Sequence, residues 1–173
     1  DLSFTGALSG NNGLEPKIEL AFSSNTVDLD SFVQEVNKIN KNHSDTSENI
    51  DNNDYWDKYS GKFIFSIGTS KLLDYPIRNL SIEINKVQSD YYLNSGNATF
   101  PGSTNIAFEG LFKNQFSIFE GGGSLESENI RDFYRWLSSD LNNISDTRLK
   151  KASISSEVVF RKGGATFAGI KGK

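Results

Sequence analysis

Alternation of apolar and polar residues with a period of two runs through most of this chain. It is clearest in residues 17–22, 63–67 and 80–85, and shorter runs recur as far as residue 167. Successive side chains of a β-strand point to opposite faces of a sheet, so each run separates its apolar residues from its polar ones. The sequence therefore predicts a mainly β, α+β fold of antiparallel, strand-rich sheets with one apolar face.

The alternating runs supply the residues that we predict to form this apolar face. They are Ile18, Leu20, Phe22, Phe63, Phe65, Ile82, Ile84, Phe116, Ile118 and Phe160. A sheet with one apolar face needs a cover. Helices would make these residues a core and a bound lipid would make them a binding surface, and the sequence leaves both open.

Two amphipathic helices are predicted between the strands. The first begins at Asp28 or Asp30 and carries apolar residues at helical spacing as far as Ile39. The second covers residues 127–141, with Ser124 or Ser127 as its N-cap. Its apolar stripe, flanked by Trp136, consists of Ile130, Phe133, Tyr134, Leu137 and Leu141. Two helices are too few to cover the whole sheet.

Residues 1–40 and 105–141 repeat one order of elements, a strand with Phe-x-Gly, a second strand, a loop and a helix. The aligned positions are Phe4 with Phe108, Gly6 with Gly110, Leu8 with Phe112, residues 18–22 with 116–119, and Leu29 with Ile130. We interpret this pattern as an internal strand–strand–helix repeat. It predicts two parts, residues 1–104 with the first unit and an acidic loop at 41–58, and residues 105–173 with the second unit and a C-terminal hairpin.

Three segments are predicted to be loops or turns. Residues 41–58 are rich in Asp and Asn and almost free of apolar residues, which indicates a long solvated loop. The glycines at 121–123 indicate a hinge or turn before the second helix. Gly163 and Gly164 indicate a hairpin turn between two short strands.

The composition excludes several classes of function. The chain has no cysteine, which removes disulfides and thiol chemistry, and its net charge of -4 makes it a poor nucleic-acid binder. No run of 18 apolar residues is present, so no segment is a candidate transmembrane helix. Methionine is also absent, and we expect the chain to be a segment of a longer protein.

Candidate catalytic and metal-binding residues are few and poorly arranged. His43 lies in the polar loop, and the Asp and Asn residues at 51–54 have the oxygen ligands of calcium sites without EF-hand spacing. The carboxylate pairs Asp28/Asp30 and Glu126/Glu128 stand at predicted helix starts, where they stabilise the helix dipole. We therefore predict a protein that is not an enzyme and holds no metal or cofactor.

Several segments together resemble the AsmA family of bacterial envelope proteins. They are the Phe-x-Gly strand pair at 105–121, the helix at 128–137, the strand at 149–160, the ending at 167–172 and the matching cadence of residues 1–36. The resemblance covers about two-thirds of the chain and rests on apolar and glycine patterns. Residues around Asp51 and the tract 91–100 lie outside it.

This resemblance implies a non-catalytic periplasmic segment of a protein that is anchored in the inner membrane outside this chain. It implies a role in phospholipid transport and outer-membrane maintenance through an apolar β-sheet face. The implied partners are phospholipid and other envelope proteins.

An alternative function belongs to another class. The strand pair, the helix that ends in Arg-Trp-Leu at 135–137 and the final hairpin also resemble structural or adhesive surface modules, including tube-forming ones, that assemble by protein–protein contacts. Exposed strand edges favour such assembly because their backbone groups are free to pair. Oligomeric state separates the two hypotheses.

Overall fold

A computed structural model describes residues 2–9, 16–31, 34, 59–113, 116–137, 150–161 and 163–173. These residues form one nine-stranded sheet, whose strands are β1 (Leu2–Ser9), β2 (Lys17–Asp28), β3 (Ser60–Leu72), β4 (Tyr75–Val87), β5 (Asp90–Phe100), β6 (Thr104–Lys113), β7 (Ile118–Ser127), β8 (Ala152–Arg161) and β9 (Gly164–Gly172). Helix α1 (Ile130–Leu137) lies between β7 and β8. The mainly β prediction is confirmed.

The strands lie in the sheet in their order along the chain. Every neighbouring pair is antiparallel except β2 and β3, which are parallel, so the prediction of antiparallel pairing is wrong for this one pair. Parallel neighbours need a connection that returns along the sheet. Residues 29–31 and 34 of that connection are helical, and the rest of the first predicted helix and the acidic loop at 41–58 lie outside the described residues.

The cross-strand pairing aligns residues of one face of the sheet from β1 to β9. One row of partners is Leu8, Ile18, Gly61, Lys86, Tyr91, Phe112, Phe119, Phe160 and Ala165. The next row is Gly6, Leu20, Phe63, Ile84, Leu93, Gly110, Gly121, Val158 and Phe167. Directly opposed residues share a face of a sheet. We call the face formed by these rows the apolar face and the opposite one the polar face.

Helix α1 packs against one end of the apolar face. The Phe133 ring lies 5.8 Å from that of Phe100, and the Trp136 ring lies 5.0 Å from the same ring. The Trp136 indole Nε1 donates to the Leu72 carbonyl at 3.2 Å. Tyr134 and Leu137, which were predicted in the apolar stripe, are exposed. The helix therefore covers a limited part of the sheet.

The buried apolar residues are few and scattered. Among the described residues they are Ile67, Ile77, Ala98, Phe119, Phe133 and Val158. Most other side chains of the apolar face are half-buried or exposed. The described residues thus form an open sheet with local clusters.

The glycines at 121–123 lie in the middle of β7, so the prediction of a hinge or turn there is wrong. Gly121 stands directly opposite Gly110 on β6. A Cβ atom at either position would lie 2.9 Å from the Phe119 ring, so the two glycines make room for that ring. The predicted hairpin turn is confirmed, because β8 ends at Arg161 and β9 begins at Gly164.

The sheet is continuous across the predicted boundary after residue 104. Strand β5, from the first predicted part, pairs along its length with β6, from the second. The division into two parts stays a prediction.

Candidate apolar binding surface

The structure brings most of the predicted apolar residues together on one face. The register joins Ile18, Leu20, Phe22, Phe63, Phe65, Ile82, Ile84 and Phe160. Phe116 stands in the turn before β7, and its ring lies 4.4 Å from that of Tyr91 and 5.2 Å from that of Phe112. It therefore reaches the same face from outside the strands.

Ile118 lies on the polar face and departs from the prediction. Its cross-strand partners are Lys113 and Arg161. The neighbouring Phe119 takes the expected place, opposite Phe112 and Phe160. The prediction places a strand from Phe116 onward. Residues 116 and 117 instead form a turn, so the apolar positions of the strand are shifted by one residue, from Ile118 to Phe119.

Sequence reasoning missed several residues of the apolar face, among them Tyr91, Leu93, Phe112 and Phe119. A signal was present in the first two, which are spaced two apart in the tract 91–100. Phe112 and Phe119 could be placed only by pairing β6 with β7.

An aromatic groove forms at the end of the apolar face away from α1. It has a volume of about 590 Å³ and is lined by Leu93, Phe108, Phe112, Phe116, Phe119 and Phe160, with the polar residues Ser117 and Arg161. The Phe119 ring lies 4.9 Å from Phe112 and 6.0 Å from Phe160, which in turn lies 6.2 Å from Phe167. Phe116 remains 52% exposed. The groove is thus an open, ring-lined depression.

The apolar face continues beyond the groove into β1, β2 and β3. Phe22 and Phe65 stack with ring centroids 4.8 Å apart and planes 10° from parallel. Phe4 and Leu8 on β1 are 65% and 75% exposed. The apolar surface therefore reaches the outermost strand.

Lys86 lies in an apolar row and is buried. Its Nζ donates to the Tyr59 carbonyl at 2.9 Å and to the Gln88 carbonyl, and it lies 5.8 Å from the centre of the Tyr91 ring. Backbone carbonyls and an aromatic face stabilise a buried ammonium. This lysine thus packs against the strand ends.

The polar face carries half-exposed ion pairs. Hydrogen bonds from Asn94 and Lys62 lower the pKa of Glu83, and the Lys113 ammonium lowers the pKa of Glu120. The Lys62 Nζ lies 2.9 Å from the Glu83 Oε1. Such pairs are typical of a solvated face.

The predicted carboxylate pairs have structural partners. Asp28 accepts hydrogen bonds from the Ser31 N–H and hydroxyl, both at 3.0 Å, as helix N-caps do. Asp30 accepts the Leu73 N–H at 2.8 Å. Glu128 pairs with Lys151 at 2.6 Å. Neither pair forms a shared site.

His43 and the Asp and Asn cluster at 51–54 lie outside the described residues. Within the described ranges, no group of three or more His, Asp or Glu residues could hold a metal ion. Over the same ranges, no helix is long and apolar enough to span a bilayer.

The chemistry that this arrangement offers is apolar contact. Half-exposed aromatic and aliphatic side chains cover one face, and Arg161, at the end of β8, is the one charged residue among those that line the aromatic groove. No protein-family model, curated protein or solved structure matches the chain.

Proposed function

We propose that the apolar face binds the acyl chains of phospholipid. The chain would act without catalysis in phospholipid transport and outer-membrane maintenance, as a periplasmic segment of an AsmA-like protein anchored in the inner membrane elsewhere in its sequence. The observation that carries this proposal is an apolar face that extends over nine strands and remains partly exposed. Exposed apolar patches of this extent mark binding sites.

The energetics of acyl-chain burial favour such binding. Each methylene group removed from water contributes about 0.8 kcal/mol, so ten of them contribute about 8 kcal/mol. That sum exceeds the lower estimates of the entropic cost of association, about 4 kcal/mol. The aromatic groove offers ring surfaces along such a chain.

Arg161 makes an anionic amphiphile the better ligand than a neutral hydrocarbon. Arg161 is the last residue of β8 and one of the residues that line the aromatic groove. Its register with Ile118 places it on the polar face, where its charge, after that of Lys113, lowers the pKa of Glu120, so it lies at the border between the two faces. A guanidinium beside an apolar groove is suited to a phosphate, with which it can form bidentate hydrogen bonds. We therefore place the lipid headgroup at this border.

The internal repeat belongs to the same proposal, because duplication of a one-sided unit extends an apolar surface. Ile18 pairs with Leu8, and Phe119 pairs with Phe112. With Leu8 aligned to Phe112, the register matches Ile18 with Phe119, three residues beyond Phe116, with which the sequence alignment of this strand began. The spacing from Ile18 to Leu29 then equals that from Phe119 to Ile130, and both Leu29 and Ile130 begin helical segments. This shared spacing supports a duplicated strand–strand–helix unit.

Photolabelling tests the lipid proposal. The purified chain is mixed with anionic phospholipid vesicles that contain a phospholipid with a photoreactive acyl chain, and labelled peptides are mapped by mass spectrometry. Labels are expected on the aromatic groove. Phe160→Asp should reduce labelling about tenfold, because it places a charge where the acyl chain lies.

Tyr92→Asp is the matched control. Tyr92 and Phe160 are both 40% exposed aromatic residues, but Tyr92 lies on the polar face, opposite Asn85 and Leu111. Equal labelling of the two faces, or equal loss in both variants, would contradict the proposal.

A structural or adhesive module is the second candidate function. The observation that favours it is that β1 and β9 are the two ends of the described sheet, and that Ser3–Ser9 of β1 and all of β9 are exposed. Electron microscopy and sedimentation distinguish it, since a tube-forming or adhesive module should assemble into rings or fibres without lipid.

A further inference from the structure

Strand β1 is at one end of the sheet that the described residues form. Among the described residues it pairs with β2 alone, and every residue from Ser3 to Ser9 is exposed. Alternate N–H and C=O groups of an edge strand point away from its neighbour. An added strand would satisfy them.

The edge of β1 lacks the features that usually prevent pairing. Its eight residues include no charge and no proline, and its register with β2 has no bulge. Strand β9, at the other end, has a register shift against β8, a positive φ of 61° at Gly169 and a charge at Lys171. Charges and bulges protect edges, so of the two end strands of the described sheet β1 is the one better suited to pair with a partner.

The sequence of β1 is self-complementary. In an antiparallel pairing of two copies centred on Thr5, Phe4 lies opposite Gly6 and Ser3 lies opposite Ala7, each pair occurring twice. Residues on the apolar face then meet residues on the apolar face. The sheet already uses this arrangement, because Phe108 lies opposite both Gly96 and Gly123.

We propose that β1 is a homodimer interface, at which two copies of this chain pair through their β1 edges about a two-fold axis at Thr5. Two-fold pairing of one surface with itself is the commonest mode of oligomer formation. The apolar faces of both copies then form one surface. This inference does not rest on lipid binding.

Disulfide trapping tests the interface without interference, because the chain has no cysteine. Thr5→Cys places two thiols directly opposite each other, within the Cα separation that disulfides allow. Mild oxidation in lipid-free buffer should convert most of this variant to a covalent dimer. Absence of that dimer would overturn the proposal.

Ser9→Cys is the control on the same strand. With Thr5 at the axis, the two thiols introduced by this substitution lie eight residue steps apart, about 27 Å. At least tenfold less covalent dimer is expected. Equal yields from the two variants would also overturn the proposal.

Sedimentation velocity in lipid-free buffer supplies an independent measurement. Thr5→Lys places two like charges opposite each other and should weaken dimerisation at least tenfold. Thr166→Lys, a change of an exposed threonine on β9, should leave the dimer unchanged. A monomeric unmodified chain, or longer oligomers that Thr166→Lys abolishes, would rule out the β1 interface.

Discussion

Two segments of this chain, which we propose to be copies of one strand–strand–helix unit, differ in position within the sheet. The first comprises β1, β2 and the helical residues that follow, and the second comprises β6, β7 and α1. Among the described strands β1 is an end strand, with exposed side chains from Ser3 to Ser9, whereas β6 lies between β5 and β7. The strand that follows the first unit, β3, is parallel to β2, whereas the strand that follows the second unit, β8, is antiparallel to β7. The comparison teaches that local sequence sets the unit and that its neighbours set its burial.

The largest expected difference between the units concerns Phe119 and its counterpart Ile18. Phe119 is 6% exposed and contacts two other rings, whereas Ile18 is half-buried. Phe119→Ala should lower the free energy of unfolding by about 4 kcal/mol, and Ile18→Ala by about 1–2 kcal/mol. Urea unfolding measures both. Equal losses of unfolding free energy in the two variants would show that the position of a strand in the sheet does not set the burial of these two side chains.

Gly6 and Gly110 test the same idea through steric space. A Cβ atom at Gly110 would lie 2.5 Å from the Glu120 carbonyl oxygen, whereas at Gly6 the nearest atom is a flexible Leu20 methyl at 3.1 Å. Gly110→Ala should cost about 3 kcal/mol and Gly6→Ala less than about 1 kcal/mol. Thermal unfolding followed by circular dichroism measures both losses of stability. A larger loss in Gly6→Ala than in Gly110→Ala would contradict the expected order.

Trp136 links the second unit to β3, outside its own unit. Trp136→Phe keeps most of the ring and leaves the Leu72 carbonyl without the indole donor, so we expect a loss of about 1 kcal/mol. Tyr134→Phe is the control, because Tyr134 is exposed. Urea titration should separate the two variants, and an unchanged midpoint for Trp136→Phe would show that this hydrogen bond is dispensable.

The smallest expected difference lies at the helix starts. Hydrogen bonds from Ser31 hold the pKa of Asp28 below its ordinary value of 3.8, whereas the neutral Asn129 precedes α1. A lowered folded-state pKa gives stability that is present above pH 3.8 and is lost as the pH falls through the folded value. The Ser31 amide resonance should therefore titrate below pH 3.8, and Asp28→Asn should remove that titration. A midpoint at or above 3.8 would contradict the cap.

Sequence patterns predicted much of the fold and of the candidate site. The period-two runs around Phe22, Phe65 and Ile82 predicted strands with a shared apolar side, because side-chain direction in a strand is a local property. The prediction for Ile118 is wrong because the turn at residues 116 and 117 shifts the alternation of the following strand by one residue. The prediction of a turn at the glycines 121–123 is wrong because the role of Gly121 depends on a residue far along the chain. Gly121 lies opposite Gly110 on β6, and the two glycines together leave space for the Phe119 ring.

The sequence by itself determined that the chain is mainly β and that its alternating runs are strands with an apolar side, since alternation requires only neighbouring residues. The tertiary structure alone decided the order of the strands, the parallel pairing of β2 with β3, the joining of the separate apolar sides into one face and the end position of β1. Those features depend on hydrogen bonds between residues far apart in the chain, which no local pattern specifies.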